Sequence, residues 1–83
     1  MILKWGKHEL KVSKKDKILD NGLCYVLITQ KELYRGMYDY PLIDRDTFHK
    51  LLRTGKIKLI ESNYKADFWV KTDKGKLYAF TED

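Results

Sequence analysis

The sequence predicts an α+β domain in which one principal helix packs on a small antiparallel β-sheet. Two observations support this fold class. Between residues 44 and 54 apolar side chains recur at helical spacing, and directly after them the pattern changes to the polar–apolar alternation of a strand. The remaining apolar residues fall mostly in short runs of strand length, separated by glycine-containing turns.

The principal helix has a start signal, an apolar stripe and a stop signal. Asp44 is a preferred N-cap residue, because its carboxylate can accept a free N–H group of the first turn. Gly55 stands where helices commonly end in a left-handed residue. We therefore expect a helix over about residues 44–54. Its apolar stripe consists of Phe48, Leu51 and Leu52.

Two hairpins are predicted in the first part of the chain. Residues 2–5 and 8–12 have strand character and are separated by Gly6 and Lys7. Asn21-Gly22 lies between apolar runs and favours a two-residue turn, because both residues tolerate a positive φ angle. The following run, residues 23–28, is almost entirely apolar. We expect it to be a central strand that is covered on both faces.

After the helix, the pattern predicts three strands with short connections. The strands are expected from residue 57 to 60, from 66 to 71 and from 77 to 80. A loop at 62–65 and a tight turn at 73–75, with its glycine in the left-handed conformation, would connect them. The predicted core consists of Leu3, Trp5, Leu10, Val12, Leu23, Tyr25, Leu27, Phe48, Leu51, Leu52, Ile57, Leu59, Phe68 and Val70.

Length and composition indicate one small domain over residues 1–83, with a modest core that self-association, such as a homodimer, would help to stabilise. No apolar run approaches the roughly 18 residues of a membrane span, and lysines interrupt the first residues, so neither a span nor a signal peptide is expected. Cys24 is the single cysteine and lies in an apolar run, which favours a buried thiol and a cytoplasmic location.

The charge is basic, with a formal net charge of +5 and a pI near 9.3. This balance favours anionic partners such as nucleic acid or an acidic protein face. The alternative is a solvated, lysine-rich surface without a partner.

One arc of the principal helix carries most of the candidate binding residues. Arg45, His49 and Arg53 are four residues apart and lie on one side, Lys56 would extend this arc, and Lys50 lies further round. One hypothesis is a recognition helix that contacts base edges and phosphates. The other is an ordinary charged solvent face, which most surface helices have.

Two stretches resemble the winged-helix DNA-binding module of phage excisionases and MerR-type regulators. They are Ile28-Thr-Gln-Lys-Glu-Leu33 and Asp46-Thr-Phe-His-Lys-Leu-Leu-Arg-Thr-Gly-Lys-Ile57. In those modules a threonine-led helix precedes a second helix that ends in arginine, any residue, glycine and lysine, and a wing follows. The resemblance covers about residues 28–60. This chain has a longer turn between the helices, with Pro41 in it, and Tyr34 where a small residue is expected.

The resemblance implies non-catalytic binding of double-stranded DNA by a small phage or mobile-element regulator. The residues it implies at the major groove are Arg45, His49, Lys50 and Arg53. Lys65, in the predicted wing loop, would contact the DNA backbone or the minor groove.

A second hypothesis is a small protein-binding modulator or inhibitor of a host protein. The segment from Tyr34 to Tyr40 is rich in tyrosine and contains Arg35, and these residue types anchor protein interfaces. Its candidate contact residues are Tyr34, Arg35, Tyr38 and Tyr40, and an acidic host protein would suit the basic surface. Whether residues 30–40 form a helix, a strand or a loop is left open by their pattern.

Catalytic signals are weak. His8 and His49 are far apart in the sequence and Cys24 is isolated, so the spacing of a metal site is missing. No glycine-rich phosphate loop of known spacing occurs. We expect a protein that is not an enzyme and uses neither a metal nor another cofactor.

Overall fold

The structure is a computed structural model that describes residues 1–28, 42–68 and 71–83. The described part is an α+β fold, which confirms the predicted class. Its elements are β1 (Ile2–Trp5), β2 (His8–Lys11), β3 (Lys17–Asp20), β4 (Tyr25–Ile28), β5 (Leu42–Ile43), α1 (Arg45–Arg53), β6 (Ile57–Phe68) and β7 (Lys71–Phe80).

The described strands form two antiparallel sheets. Strands β1 and β2 make a two-stranded sheet. Trp5 pairs with His8, so the connection between the two strands consists of Gly6 and Lys7 alone. The other five strands lie in the order β5-β4-β3-β7-β6. The long β6–β7 hairpin is therefore joined to the β3–β4 hairpin by the pairing of β3 with β7. None of the described helices has the length and apolar content that crossing a lipid bilayer requires.

The main core lies between α1, the β1–β2 hairpin and one face of the five-stranded sheet. Phe48 of α1 stacks on Tyr25 of β4, with ring centroids 4.0 Å apart, and meets Tyr78 of β7 edge to face at 5.0 Å. Ile18 and Leu27 are fully buried beneath them on β3 and β4. These contacts fix α1 across three strands of the sheet.

A second apolar cluster lies on the other face of the same strands. Leu19, Val26 and Leu77 are buried there, with Cys24 and Tyr64 packed against them. Neighbouring residues on β4, Val26 and Leu27, are thus buried on opposite faces, which confirms the prediction that this strand is covered on both sides. The middle strand of the described sheet, however, is β3.

The turn between β3 and β4 is longer than predicted. Asp20 pairs with Tyr25, so the connection contains the four residues 21–24 and not two. The side chain of Asn21 accounts for this, because its Oδ1 accepts the N–H groups of the last two loop residues, at 2.9 Å each. Leu23, a predicted core residue, is 93% exposed in this loop.

The predicted loop at 62–65 and tight turn at 73–75 are wrong, since both stretches belong to the β6–β7 hairpin. Lys65 pairs with Lys74, and Tyr64 pairs with Gly75. Two irregularities in the register, between Leu59 and Glu61 and between Glu61 and Tyr64, accommodate the extra residues of β6. The polar residues 62–65, which predicted a loop, therefore belong to a strand with bulges.

Gly75 is needed for a close approach and not for a left-handed turn. A Cβ atom at this position would collide with the carbonyl oxygen of Asp20 and would lie 2.8 Å from the carbonyl carbon of that residue and 2.9 Å from the Cα of Asn21. The absence of a side chain lets β7 pass the end of β3.

The core prediction was correct for Leu3, Trp5, Val12, Leu27, Phe48, Leu51 and Ile57. Leu10 and Tyr25 are only partly buried, and Leu52 and Leu59 are exposed. The side chains at 68 and 70 lie outside the described part. The prediction missed Ile18, Leu19, Val26, Ile43, Leu77, Tyr78, Ala79 and Phe80.

Candidate nucleic-acid interface

The N-terminus of α1 is capped as the sequence predicts. Asp44 Oδ2 accepts the backbone N–H of Thr47 at 3.2 Å, and the Thr47 hydroxyl donates to Asp44 Oδ1 at 2.5 Å. The hydroxyl bond is the largest of the effects that lower the pKa of Asp44 below its usual 3.8. The ionised carboxylate thus fixes the first turn and with it the direction of the helix.

The C-terminus of α1 is closed by Gly55, which has a φ angle of +73°. The N–H of Gly55 donates to the carbonyl of Leu52 at 3.2 Å, and the N–H of Lys56 donates to that of Leu51 at 2.9 Å. This is the paired bonding of a Schellman motif. The predicted bounds of 44–54 are confirmed when Asp44 and Thr54 are counted as caps.

The outer face of α1 consists of five exposed residues, defined by their position opposite the buried stripe. At about 100° per residue, Asp46 and Arg53 point most directly away from the sheet, with His49 and Lys50 beside them and Arg45 at the edge. The structure therefore brings four of the predicted binding residues onto one exposed surface of a short helix.

The outer face is net positive. Arg45, Lys50 and Arg53 contribute three positive charges and Asp46 one negative charge, which leaves +2 with His49 neutral. Among the side chains that the structure describes, no carboxylate lies within ion-pair distance of the three cations.

Lys56 does not extend this face. It is half-buried, and its Nζ donates to Glu82 Oε1 at 2.8 Å. This bond holds the pKa of Glu82 below its usual 4.5. Lys56 thus has a carboxylate partner, which is exposed as well, and its predicted contact with DNA stays a prediction.

A basic groove runs between α1 and β1. Its volume is about 390 Å³, Leu3 and Leu51 contribute apolar surface, and Lys4, Lys50 and Lys56 supply its charges. Lys4 is 3.3 Å from Glu9, and both side chains are exposed, so this ion pair is weakly held. Of the three lysines, Lys50 alone belongs to both the groove and the outer face.

Lys65 lies apart from the helix. It was predicted in a loop, but it is an exposed residue of β6, eight positions beyond Ile57 at the start of the strand. At about 3.3 Å per residue this is roughly 26 Å along the hairpin. It can therefore join a contact with α1 only if the ligand is long.

An aromatic groove of about 620 Å³ lies on the opposite flank of α1. Trp5 stacks on His8 with ring centroids 4.9 Å apart, and Trp5 Nε1 donates to the carbonyl of Leu42 at 2.9 Å. Tyr25 and Arg45 complete its aromatic and basic lining. This groove could not be predicted from local sequence patterns, because it depends on the packing of β1 beside β5, which are far apart in the chain.

The candidate protein-binding residues Tyr34, Arg35, Tyr38 and Tyr40 lie outside the described residues, as does the whole stretch 30–40 whose pattern left its conformation open. In residues 1–28, 42–68 and 71–83, no group of three or more His, Cys, Asp or Glu residues is placed to hold a metal ion.

Burial raises the pKa of the Tyr78 hydroxyl above its usual 10, with smaller effects from Asp20 and Tyr25.

Known proteins provide no family for this chain. Comparison with protein-family models, with curated proteins and with solved structures finds no match. The resemblance of residues 28–60 to the excisionase and MerR modules therefore stays a prediction.

Proposed function

We propose that this chain is a non-catalytic DNA-binding protein that places the outer face of α1 in the major groove. The observation that carries the proposal is the set of three exposed cations on a nine-residue helix that is capped at both ends. An α-helix with its side chains is about 10–12 Å wide and fits the major groove of B-DNA. A capped helix presents its charges in a fixed arrangement.

The cations of the outer face have different roles in this proposal. Arg53 points most directly outward and would reach base edges, where a guanidinium can bind guanine with two hydrogen bonds. Arg45 and Lys50 lie nearer the flanks and would contact phosphates, which position the protein on the duplex. His49 would read a base edge or a phosphate beside Arg53.

The order of elements after α1 also supports the proposal. The β6–β7 hairpin, with strands of 12 and 10 residues, follows the helix directly, as the wing of a winged helix does. Lys65 on this arm would contact the backbone or the minor groove. A small winged-helix regulator from a phage or another mobile element is the protein type that combines these features.

The proposal is tested by fluorescence anisotropy with a labelled duplex of about 20 base pairs. Three proteins are compared: the natural chain, Arg45→Glu with Arg53→Glu, and Lys14→Glu with Lys15→Glu. Both double variants change the net charge by −4, but the second pair lies in the exposed turn before β3. We expect the first pair to weaken binding at least about 100-fold, because two contacts are replaced by repulsion. The second pair should weaken binding much less.

Equal losses from the two pairs would mean that only net charge matters and would contradict the recognition-helix proposal. Unchanged binding by the Arg45 and Arg53 variant would contradict it as well. Circular dichroism of all three proteins shows whether the fold is retained.

A protein-binding function is the second candidate, and the aromatic groove favours it. Leu23 and Leu42 are exposed at this groove, next to Trp5 and Tyr25. Apolar and aromatic side chains around a concave surface are typical of protein contacts. The candidate contact residues of the sequence, Tyr34, Arg35, Tyr38 and Tyr40, belong to the same hypothesis, and Arg45 would meet an acidic group of a host protein.

This candidate is tested by capture from a host-cell lysate with the natural chain and with Leu23→Ser. Ile2→Ser is the matched control, because Ile2 is also exposed but lies away from the aromatic groove. A captured protein that is lost with Leu23→Ser and kept with Ile2→Ser would support the modulator function. Capture that is equal for all three proteins, or absent for all three, would contradict it.

A further inference from the structure

The basic groove between α1 and β1 lies beside the outer face of the helix. Successive helical residues are turned by about 100°, so Lys50 lies about 60° and Thr54 about 100° from the outward-pointing Arg53. Both Lys50 and Thr54 line the groove. The groove therefore runs along one flank of α1, and Lys50 connects it to the outer face.

Strand β1 forms the second wall of the basic groove. Its residues alternate, so that Leu3 is buried in the core while Ile2 and Lys4 face outward. The side chain of Lys4 is 72% exposed. Leu3 and Leu51, which are 4% and 6% exposed, close the floor of the groove. The β1–β2 hairpin is thus fixed to α1 through the core, and Lys4 and Lys50 belong to opposite walls.

The charges of the basic groove favour an anion. Among the described residues, its charged side chains are all lysines, namely Lys4, Lys50 and Lys56. The described lining of the aromatic groove, by comparison, contains two aspartates and one arginine. Glu9 lies 3.3 Å from Lys4 and Glu82 lies 2.8 Å from Lys56, but the side chains in both pairs are between 42% and 72% exposed. Exposed ion pairs are weak, so a phosphate can replace the carboxylate.

The width of the helix brings a DNA strand to this groove. An α-helix with its side chains is about 10–12 Å wide, and the major groove of B-DNA is about 12 Å wide. When α1 lies in the major groove, the two sugar–phosphate backbones therefore pass along its flanks, roughly a quarter turn from the residues that face the base edges. Lys50 and Thr54, which line the basic groove, lie near that angle.

We propose that the backbone of one DNA strand runs through the basic groove, where Lys4 and Lys50 bind its phosphates from opposite walls. The β1–β2 hairpin then acts as a clamp that holds the strand against α1. Ile2, which is 61% exposed, covers a deoxyribose of the same strand. The clamp rests on the proposed DNA-binding function and adds to it a contact that the helix alone does not supply.

Fluorescence anisotropy with a labelled duplex of about 20 base pairs, measured at several salt concentrations, tests the clamp. Lys4→Ala should reduce the slope of log affinity against log salt by about 0.9, as the loss of one phosphate contact requires, and should weaken binding about fivefold at about 100 mM salt. Lys7→Ala is the matched control, because Lys7 is an exposed lysine of the same hairpin that does not line the groove. It should leave the slope unchanged and weaken binding less than about twofold.

Glu9→Gln tests the same contact in the opposite direction. It removes the carboxylate that competes with a phosphate for Lys4, so it should strengthen DNA binding about two- to threefold. In the Lys4→Ala background the same change should have almost no effect, because the lysine for which the two anions compete is gone. Circular dichroism of each variant shows whether the fold is retained.

The results distinguish failure of the clamp from failure of the proposed function. An unchanged salt slope in Lys4→Ala, with binding still lost in the variant Arg45→Glu with Arg53→Glu, would overturn the clamp and leave the recognition helix in place. Equal losses from Lys4→Ala and Lys7→Ala would overturn the clamp too, since only net charge would then matter. A natural chain that does not bind DNA at the lowest salt concentration would contradict the proposed function and the clamp with it.

Discussion

The two faces of α1 differ in almost every physical property. The inner face buries Phe48 and Leu51, which are 3% and 6% exposed, against aromatic rings of the sheet. The outer face exposes Arg45, Lys50 and Arg53 without carboxylate partners among the described side chains. The inner face therefore determines stability, while the outer face contributes little to it. Substitutions should separate the two roles.

The largest expected effect is the loss of the ring that anchors the inner face. Phe48→Ala should lower the free energy of unfolding by about 3–5 kcal/mol, because it leaves a cavity between Tyr25 and Tyr78. Urea denaturation followed by circular dichroism measures this change. Lys50→Ala on the outer face is the control and should change stability by less than about 0.5 kcal/mol. Similar losses from both variants would show that the faces are not distinct.

The N-cap of α1 supports both faces of the helix. Its removal should lower the free energy of unfolding less than the loss of the Phe48 ring does. Asp44→Ala should destabilise the fold by about 1 kcal/mol at pH 7, because the bonds to Thr47 are lost. The folded-state pKa of Asp44 is lowered, so its contribution is present above pH 3.8 and fades as the pH falls below that value. The stability difference from Asp44→Ala should therefore shrink in acid.

Asp44→Asn separates the hydrogen bond of the cap from its charge. Asparagine is a good N-cap and does not titrate, so this variant should keep most of the stability at pH 7. A difference between natural chain and Asp44→Ala that is constant from pH 7 to pH 2.5 would contradict the role of the ionised carboxylate.

A single cation of the outer face should affect binding and not folding. Arg45→Ala removes one phosphate contact in the proposed DNA complex. It should reduce the slope of log affinity against log salt by about 0.9, with the midpoint of urea denaturation unchanged. Anisotropy titrations at three salt concentrations measure the slope. An unchanged slope would remove Arg45 from the phosphate contacts.

The smallest expected effect comes from the carboxylate between the cations. Asp46→Asn removes the negative charge of the outer face and should strengthen DNA binding about two- to threefold, because a phosphate is no longer repelled. Asp46 lies in the first turn, where its negative charge interacts favourably with the helix macrodipole. Loss of this interaction should lower the free energy of unfolding by no more than about 0.5 kcal/mol. Weaker DNA binding by Asp46→Asn would place the ligand away from this face.

The helix was predictable because its signals are local. Asp44, the apolar stripe and Gly55 all lie within one short stretch, and the capping bonds join residues three to five apart. The long hairpin was not predictable from such signals. The role of Gly75 depends on Asp20 and Asn21, more than fifty residues earlier in the chain. Only the packing of β7 past β3 brings them together.

The candidate site, like the fold, was predictable where it depends on local signals and not where it depends on long-range pairing. The angular positions of Arg45, His49 and Arg53 follow from helix geometry alone, and the structure exposes all three. Lys56 was assigned to the same arc because its partner, Glu82, is 26 residues away and reaches it only through the β6–β7 pairing. Long-range pairing therefore decides which charges of a local pattern remain available.

The most direct test of the central claim is the salt dependence of duplex DNA binding by the natural chain. Anisotropy is measured from about 25 to 300 mM salt with two duplexes of unrelated sequence. We expect micromolar affinity at low salt and a slope of log affinity against log salt between about −3 and −5, as three to five neutralised phosphates require. No binding at the lowest salt concentration would contradict the account of α1 as a nucleic-acid-binding helix.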